Sequence, residues 1–317
     1  MARTRFPVDR GLTARMMSTI FLLGLLYAVL VTILVFVGLD IAWVILIPVA
    51  FLFAQYFASD KIALWSMKAK IVTEQQAPEL HAVVDRLCNL ADMRKPRVAI
   101  AQTDFANAFA TGRNQAHSVV CVTTGILRRL DEPELEAVLA HELSHVAHRD
   151  VAVMTIASFL GIVAGLAMRM LYWSALFGGM GGMGGGRGRG GGNNNNSGAQ
   201  LMMIELGALV VTAAFYCVSF LLTRALSRYR ELAADRSGAI LIGQPKVLAS
   251  ALRKVSGDHG RIPTKDLRTA QAFNAFFFTP ALTKGMSMHN LLSTHPSLEV
   301  RLQQLAELEA SMGHSGH

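Results

Sequence analysis

The residue types best suited to catalysis in this chain of 317 residues stand together in one short segment, His141-Glu-Leu-Ser-His145. Residues four apart on a helix lie on one face, about one turn from each other, so both imidazoles can reach a single metal ion. A zinc ion lowers the pKa of a coordinated water to about 7, and a neighbouring carboxylate can then accept its proton. The segment therefore predicts a catalytic zinc site, with His141 and His145 as ligands and Glu142 as the general base.

A third protein ligand is needed, because a catalytic zinc ion is held by three protein groups and keeps one position open. His148 is near in sequence, but three histidines on one straight helix diverge too far for tetrahedral coordination. The segment Glu231-Leu-Ala-Ala-Asp235 is a better source, since its two carboxylates share a helical face. We expect Glu231 to bind zinc and Asp235 to accept the ring N–H of a ligand histidine, which would fix its tautomer. The predicted cofactor is one zinc ion per chain.

The zinc motif is expected in the middle of a well-capped helix. Asp131 can cap the first turn, Glu134 stands three residues later as in a capping box, and Pro133 is tolerated in that turn. The helix should then run through His141 towards His148. Such a helix would fix the direction of both ligand side chains.

Composition indicates a membrane protein. Hydrophobic residues make up 52% and charged residues 16% of the chain, and its mean hydropathy is +0.37, whereas soluble domains contain about 25% charged residues. Many basic residues flank apolar runs, which is the pattern that keeps a segment on the cytoplasmic side. We therefore expect a lipid bilayer, and not nucleic acid, as the partner of this basic chain. Three cysteines without a close pair argue against a disulfide framework.

Four apolar runs predict four transmembrane segments. The first two, Met17–Val37 and Ile41 to about Ala58, would form a hairpin, and each is near the length that crosses about 30 Å of hydrocarbon. A cleaved signal peptide is the alternative interpretation of the first run, but a second run follows at once. The other two runs fall within residues 151–177 and 200–223. If both stayed on the cytoplasmic side instead of crossing, the third ligand would still lie on the side of the histidines.

The remaining segments complete the predicted domain organisation, which includes a Gly/Asn-rich flexible linker that cannot bury enough apolar surface to fold. In order, the predicted ranges are 1–16 for a basic cytoplasmic tail, 17–58 for the hairpin, 59–150 for the first part of the catalytic domain, 151–177 for the third membrane segment, 178–199 for the linker, 200–223 for the fourth membrane segment, 224–310 for the second part of the catalytic domain and 311–317 for a C-terminal tail.

Within the catalytic parts, periodicity predicts helices around a small sheet. An amphipathic pattern extends from Asp60 to about Met93. Two strand-like stretches cover Arg97–Thr103 and Ser118–Thr124, and Asn107–Gly112 between them can form a short edge strand. The predicted fold class is a mostly α integral membrane protein with a zincin-like α+β catalytic domain that carries a small β-sheet. Further helices are expected over Tyr229–Leu241, Gln244–Val255 and Pro296–Ala310.

Three segments together resemble the HtpX group of membrane zinc metallopeptidases, which is related to the eukaryotic prenyl-protein endopeptidases. They are His141–His145, Ser227-Arg-Tyr-Arg-Glu-Leu-Ala-Ala-Asp235 and Asn107-Ala-Phe-Ala-Thr-Gly112. The resemblance covers nearly the whole chain, from the N-terminal hairpin to Thr294-His-Pro296, but it does not include the Gly/Asn-rich linker.

The resemblance implies a multi-pass protease of the bacterial inner membrane, with its active site facing the cytoplasm and damaged or misfolded membrane proteins as polypeptide substrates. It also implies that Asn107, Ala108, Phe109 and Ala110 border the substrate cleft. An exposed edge strand can pair with an extended peptide there, and a structural turn is the alternative. Separately, His295 is a candidate donor to the developing oxyanion, or else a residue that only starts a helix.

Two other functions fit the same residues. One is a processing peptidase dedicated to a prenylated or otherwise lipid-modified protein, and the other is a membrane scaffold or metal sensor without turnover. A pure metal binder needs the three ligands but has no use for Glu142 as a base, which favours catalysis. The sequence therefore predicts a zinc metalloendopeptidase.

Overall fold

The fold is seen in a computed structural model that describes residues 10–36, 41–181, 195–259 and 296–314. These residues form two compact units, of which the first holds 10–17, 55–154, 224–259 and 296–314 and the second holds 18–36, 41–54, 155–181 and 195–223. The elements in chain order are α1 (Arg10–Phe36), α2 (Ile41–Ser66), β1 (Lys70–Ile71), α3 (Pro78–Ala91), β2 (Arg97–Ala101), β3 (Ala108–Thr111), a 3₁₀ turn (Gln115–His117), β4 (Val119–Thr123), α4 (Thr124–Arg129), α5 (Glu132–Ala147), α6 (Asp150–Gly181), α7 (Asn195–Ile242), α8 (Pro245–His259) and α9 (Leu298–His314).

The sheet of the first unit has the strand order β1-β2-β4-β3. β2 and β4 run parallel in the centre, whereas β1 and β3 pair antiparallel at the two edges. The central strand β4 is buried along its whole length, as its run of valines indicates. The predicted strands over Arg97–Thr103 and Ser118–Thr124, and the short edge strand within Asn107–Gly112, are confirmed as elements of this sheet.

One interpretation of the sequence in this unit was wrong. The pattern from Asp60 to Met93 does not form one element, because α2 continues to Ser66 and α3 starts only at Pro78. Between the two helices Lys68 adopts a left-handed backbone with φ of 50°, and the two-residue strand β1 follows. Proline is favoured in the first turn of a helix, which accounts for the start of α3. β1 is too short to show strand alternation in the sequence.

The core of the first unit lies between the sheet and helices α3, α5 and α8. The apolar stripe of α3 is buried at Leu80, Val83, Val84 and Leu87, whereas Leu90 is exposed. Each fully buried leucine or valine side chain stabilises the fold by about 1.5–3 kcal/mol. Because α5 packs inside this core, its side chains are held in fixed directions.

The helix that carries the zinc motif begins as the sequence predicts. The side chain of Asp131 accepts a hydrogen bond from the N–H of Glu134 at 3.0 Å, and the carboxylate of Glu134 accepts one from the N–H of Asp131 at 3.2 Å, which completes a capping box. From α8, Ser250 and Lys254 also donate to this buried carboxylate, at 2.7 and 2.6 Å. The start of α5 is therefore tied to α8.

Helix α7 is one continuous helix of 48 residues. The sequence analysis predicts a membrane segment over 200–223 and a separate helix over Tyr229–Leu241, whereas both lie on α7; the division between the two compact units does fall between Thr223 and Arg224. The sequence contains no proline or glycine between Gly207 and Gly238, so the change from apolar to charged residues marks new surroundings and not a helix end. Helices α6 and α7 also extend into both ends of the predicted 178–199 linker, and the middle of that linker lies outside the described residues.

Two of the described helices are long and apolar enough to cross a membrane, over Arg10–Ile33 and Leu206–Ile242. A third crossing results if α5 and the Asp150–Gly165 part of α6, which meet at a bend of 59°, are taken as one. Apolar side chains at the surface of the second unit, such as Phe21 and Met203 at 70% exposure each, fit lipid contact. The fold is therefore that of a mostly helical membrane protein with a small sheet, and four crossings stay a prediction.

Candidate metal centre

The structure brings the three predicted zinc ligands together. Nε2 of His141 lies 3.2 Å from Nε2 of His145, and these two atoms lie 3.7 and 3.4 Å from the carboxylate oxygens of Glu231. Atoms held about 2.0–2.2 Å from a tetrahedral zinc ion are about 3.3–3.6 Å apart, so the three side chains fit one such ion. The two histidines come from α5 and the glutamate from α7.

A glycine allows the two helices to approach closely enough for this geometry. Gly238 of α7 lies against the backbone of α5, where a Cβ atom would come within 2.8 Å of the backbone nitrogen of His141 and 3.0 Å of its Cα. Such a contact is closer than packed carbon and nitrogen atoms allow. Gly238 is two helical turns beyond Glu231, on the same long helix. Close packing at Gly238 therefore sets the distance between the ligands of α5 and the ligand of α7.

His141 is oriented by a buried carboxylate that is itself held by a buried arginine. Its Nδ1 lies 2.9 Å from Oδ1 of Asp235, which is fully buried. Arg301 of α9 donates to both oxygens of Asp235, from Nε and from Nη2, at 2.6 Å each. Because Nδ1 of His141 is turned towards Asp235, Nε2 is the ring nitrogen that can bind metal once it has lost its proton. The expectation that Asp235 meets the ring nitrogen of a predicted ligand histidine agrees with this geometry.

His145 has a matching pair of partners that the sequence analysis missed. Its Nδ1 lies 2.5 Å from Oδ2 of Asp150, the first residue of α6. Arg230, which is 7% exposed, donates to the side chain and to the backbone carbonyl of Asp150, each at 2.5 Å. Arg149 makes this contact possible, because its left-handed backbone (φ of 56°) turns the chain between α5 and α6. Each histidine is therefore fixed by its own aspartate and arginine.

The two histidines differ in their protonation equilibria. Burial lowers the pKa of His145 to about 4, so its ring is neutral at pH 7 and offers a lone pair. Burial also lowers the pKa of His141, but the carboxylates of Asp235 and Glu231 outweigh burial and raise that pKa to about 9. Metal binding must then displace a proton from His141, and metal affinity in such sites depends on pH.

Glu142 lies beside the three ligands and is 4% exposed. Its Oε2 accepts a hydrogen bond from the backbone N–H of Ala110 in β3 at 2.9 Å. Burial raises the pKa of the Glu142 carboxyl above its ordinary value, which brings a carboxylate closer to the range of a general base. The proposed base is therefore held by the edge strand and not by its own helix.

On the edge of β3 that does not pair with β4, the backbone groups of alternate residues point towards the metal centre. Asn107 accepts a hydrogen bond from the N–H of Thr123 in the direction of β4, and Ala110 donates in the other direction, to Glu142. Because backbone groups alternate sides along a strand, the N–H and C=O groups of Ala108 and Ala110 point away from β4. Phe109 points its side chain into a buried cluster with Ala99 and Cys121. The segment from Asn107 to Ala110 is thus an edge strand beside the centre and not a simple turn.

His148 takes no part in this cluster among the described residues. His148 forms the C-terminal cap of α5 and is not among the residues whose ligand atoms converge. His295, the candidate oxyanion donor, lies outside the described residues, although Arg301 follows on α9. Neither Asp150 nor the two buried arginines could be selected from spacing alone, since a carboxylate at the start of the next helix is most often a cap.

The fold and the centre define a zincin-type zinc metallopeptidase in a membrane-associated helical scaffold. Two histidines and a buried glutamate lie on one helix, a second glutamate lies on another helix, and an edge strand lies beside them. A family model described as Peptidase family M48 matches residues 74–309, and the chain belongs to that family. It is therefore a zinc-dependent metallopeptidase that acts on polypeptides.

Relatives agree with this family. The chain is 54% identical over 313 residues to "Protease HtpX homolog 1" of Streptomyces coelicolor, covering 98% of this chain and 97% of the relative. It is 52% identical over 311 residues to "Protease HtpX homolog" of Moorella thermoacetica, covering 98% of each chain. Among solved structures, Ste24p of S. mikatae has the same fold with a TM-score of 0.53 at 17% identity; the match covers 89% of this chain and 62% of Ste24p. The chain is accordingly a membrane metalloprotease.

Proposed function

We propose that the chain is an endopeptidase of membrane-protein quality control, with zinc held by His141, His145 and Glu231 and with Glu142 as the base. The observation that carries this proposal is the convergence of three ligand atoms at tetrahedral spacing, directly beside a buried carboxylate that accepts a hydrogen bond from the edge strand β3. A site that only binds metal needs the three ligands and would not need the additional carboxylate of Glu142.

The protein residues have separable tasks in the reaction. Zinc, when bound, supplies Lewis-acid activation of water and of the scissile carbonyl. The carboxylate of Glu142 accepts a proton from the attacking water and returns it to the nitrogen of the leaving amine. The N–H of Ala110 holds that carboxylate in place. Asp235 and Asp150 keep the ring protons on the Nδ1 atoms of the two histidines.

The edge strand β3 is the proposed binding site for the polypeptide. An extended peptide can add to an open edge through main-chain hydrogen bonds, which do not depend on its sequence. On this edge the N–H and C=O of Ala108 and the C=O of Ala110 point away from β4, while the N–H of Ala110 already donates to Glu142. Binding through the backbone favours chains that are unfolded or locally extended, which supports damaged or misfolded proteins as the substrates.

The proposed topology has four membrane crossings and a cytoplasmic active site in a bacterial inner membrane. Basic residues support this side for the first unit, namely Arg10 and Arg15 at the start of α1, Lys61 at the end of α2 and Arg224 and Arg228 on α7. If the chain crosses the membrane an even number of times between α5 and Glu231 of α7, all three ligands lie on the same side of the membrane. Arg187 and Arg189 lie within the 178–199 segment. Because basic residues favour the cytoplasmic side, they argue against an external position of this segment.

Trapping of substrates tests the proposed role. The Glu142→Gln protein should retain zinc and bind polypeptides without cleaving them, so cross-linking in cells followed by mass spectrometry identifies its clients. We expect many unrelated membrane proteins, enriched after treatments that unfold proteins. The double variant Glu142→Gln with Ala110→Pro, which lacks the strand N–H, is the matched control and should trap fewer. Recovery of one lipid-modified protein alone would instead establish a dedicated processing peptidase.

A further inference from the structure

The end of α2 and the strand that follows it expose a surface that is both apolar and basic. Trp65 is 82% exposed, and Ile62 and Ile71 are 48% and 49% exposed. The side chains of Lys61, Lys68 and Lys70 are exposed around them. We define this set of six residues as the α2-end surface: Lys61, Ile62, Trp65, Lys68, Lys70 and Ile71. An exposed tryptophan flanked by lysines is unusual on a face that meets only water.

On the opposite face of the end of α2, side chains pack against residues of the sheet. Ala63 is 1% exposed and lies in a buried cluster with Phe109 of β3, and Leu64 and Met67 pack against that cluster. Positions 61, 62 and 65 lie at helical spacing on the other side, and Lys68 follows after the end of α2. The α2-end surface is therefore the outward face of an element whose inward face supports the substrate-binding strand.

The charge of the α2-end surface is not balanced by neighbouring acids. The sequence from Lys61 to Ile71 contains no acidic residue. The acids on either side are engaged elsewhere, because Asp60 pairs with Arg97 at 2.8 Å and Glu74 pairs with Lys95 at 2.9 Å. Within the described residues, none of the three lysines of this surface forms an ion pair. Three uncompensated positive charges favour an anionic partner.

The position of the surface on α2 indicates which anionic partner it meets. A helix crosses the hydrocarbon in about 20 residues, so a crossing that begins at Ile41 ends near Asp60, and Trp65 follows about 7 Å further. That distance is within the headgroup layer, where tryptophan side chains concentrate and lysines meet anionic phosphates. We propose that the α2-end surface binds the anionic headgroups of the bilayer that α2 crosses, which anchors the sheet of the catalytic unit at the membrane surface. The proposal rests on the four-crossing topology proposed above, in which α2 crosses the membrane.

Tryptophan fluorescence of the full chain in lipid vesicles tests this proposal. The chain has three tryptophans, so Trp43→Phe with Trp173→Phe leaves Trp65 as the sole reporter. Vesicles of phosphatidylcholine, with and without phosphatidylglycerol, carry lipids brominated on acyl carbons close to the headgroup. We expect Trp65 emission to be quenched about twofold, and more strongly with phosphatidylglycerol present. Each lysine at an anionic surface contributes about a fivefold change in binding, so replacing Lys61, Lys68 and Lys70 with Gln should remove the phosphatidylglycerol dependence.

Matched variants separate the possible outcomes. Lys246→Gln changes an exposed lysine of α8 outside the surface and should leave quenching unchanged. A second reporter that retains only Trp43, at the other end of α2, tests the crossing itself. Quenching of Trp43 without quenching of Trp65 would overturn the α2-end surface and leave the crossing intact, whereas quenching of neither would overturn both. Equal quenching of Trp65 with and without phosphatidylglycerol would contradict an anionic partner.

Discussion

The backbone N–H of Ala110 donates a hydrogen bond to Oε2 of Glu142 at 2.9 Å, so the edge strand and the proposed base are in direct contact. The position of the carboxylate is therefore set by a backbone group of β3, the strand proposed above to bind the peptide. The arrangement also explains how a glutamate that is 4% exposed keeps one orientation.

Removal of that N–H should lower activity without removing the metal. We expect Ala110→Pro to reduce kcat/KM for an unfolded protein substrate about tenfold or more, because the Glu142 carboxylate loses the N–H that holds it in place. Zinc content should stay at the wild-type level, since no ligand is touched. Ala110→Val retains the N–H and is the control. Equal rates for the proline variant and the wild type would exclude a role for this hydrogen bond.

The ligand assignment predicts a ranking of zinc affinities. Glu231→Ala should weaken zinc binding far more than His148→Ala, because only Glu231 lies at ligand distance from both histidines. Asp235→Ala and Asp150→Ala should each weaken it by about 10- to 100-fold through misoriented rings. Competition with a chromogenic chelator gives the four dissociation constants. Loss of metal from the His148→Ala protein would show that the ligand set is wrong.

Close packing of α7 on α5 can be tested at one glycine. A Cβ atom in Gly238→Ala would lie within 2.8 Å of the His141 nitrogen, so the helices must move apart, at a cost of about 1–3 kcal/mol in unfolding free energy. Zinc affinity should fall with stability, since the Glu231 carboxylate moves with α7. Gly313→Ala in α9, where a Cβ meets nothing within 4 Å, is the control. A Gly238→Ala protein with unchanged stability and zinc affinity would contradict this packing argument.

The convergence of the three proposed ligands could be predicted from the sequence because spacing within a helix fixes the direction of the side chains. His141 and His145 are one turn apart, and Glu231 and Asp235 repeat that spacing. Asp131 and Glu134 likewise predicted the start of α5, because a capping box involves only neighbouring residues. These features are local, so they do not depend on how distant segments pack.

The contacts that orient the two histidines could not be predicted in the same way. Arg301 reaches Asp235 from a helix 66 residues further along the chain, and Asp150 reaches His145 only through the left-handed turn at Arg149. Both depend on tertiary packing. The predicted helix start at Tyr229 is wrong for a related reason, because the change in polarity marks the division between the compact units at Thr223 and not the end of a helix.

Topology can be tested by thiol labelling of the Gly/Asn-rich segment. Burial raises the pKa of Cys88 and Cys121 to about 12, so these thiols stay protonated and unreactive at pH 7. Cys217 is exposed and must first be replaced by Ser. With Asn194→Cys in that background, an impermeant maleimide should label intact spheroplasts if four crossings place the segment outside. Labelling only after the membrane is broken would rule out the four-crossing arrangement.

The role of Glu142 as a base is the central claim, and paired measurements on Glu142→Gln test it most directly. Amide replacement keeps the size of the side chain but removes the proton acceptor, so casein hydrolysis should fall by about 10²- to 10⁴-fold. Zinc content, determined on the same sample, should remain one ion per chain. Glu132→Gln, at an exposed position of the same helix, should retain both activity and metal. Wild-type hydrolysis by the zinc-loaded Glu142→Gln protein would contradict the account.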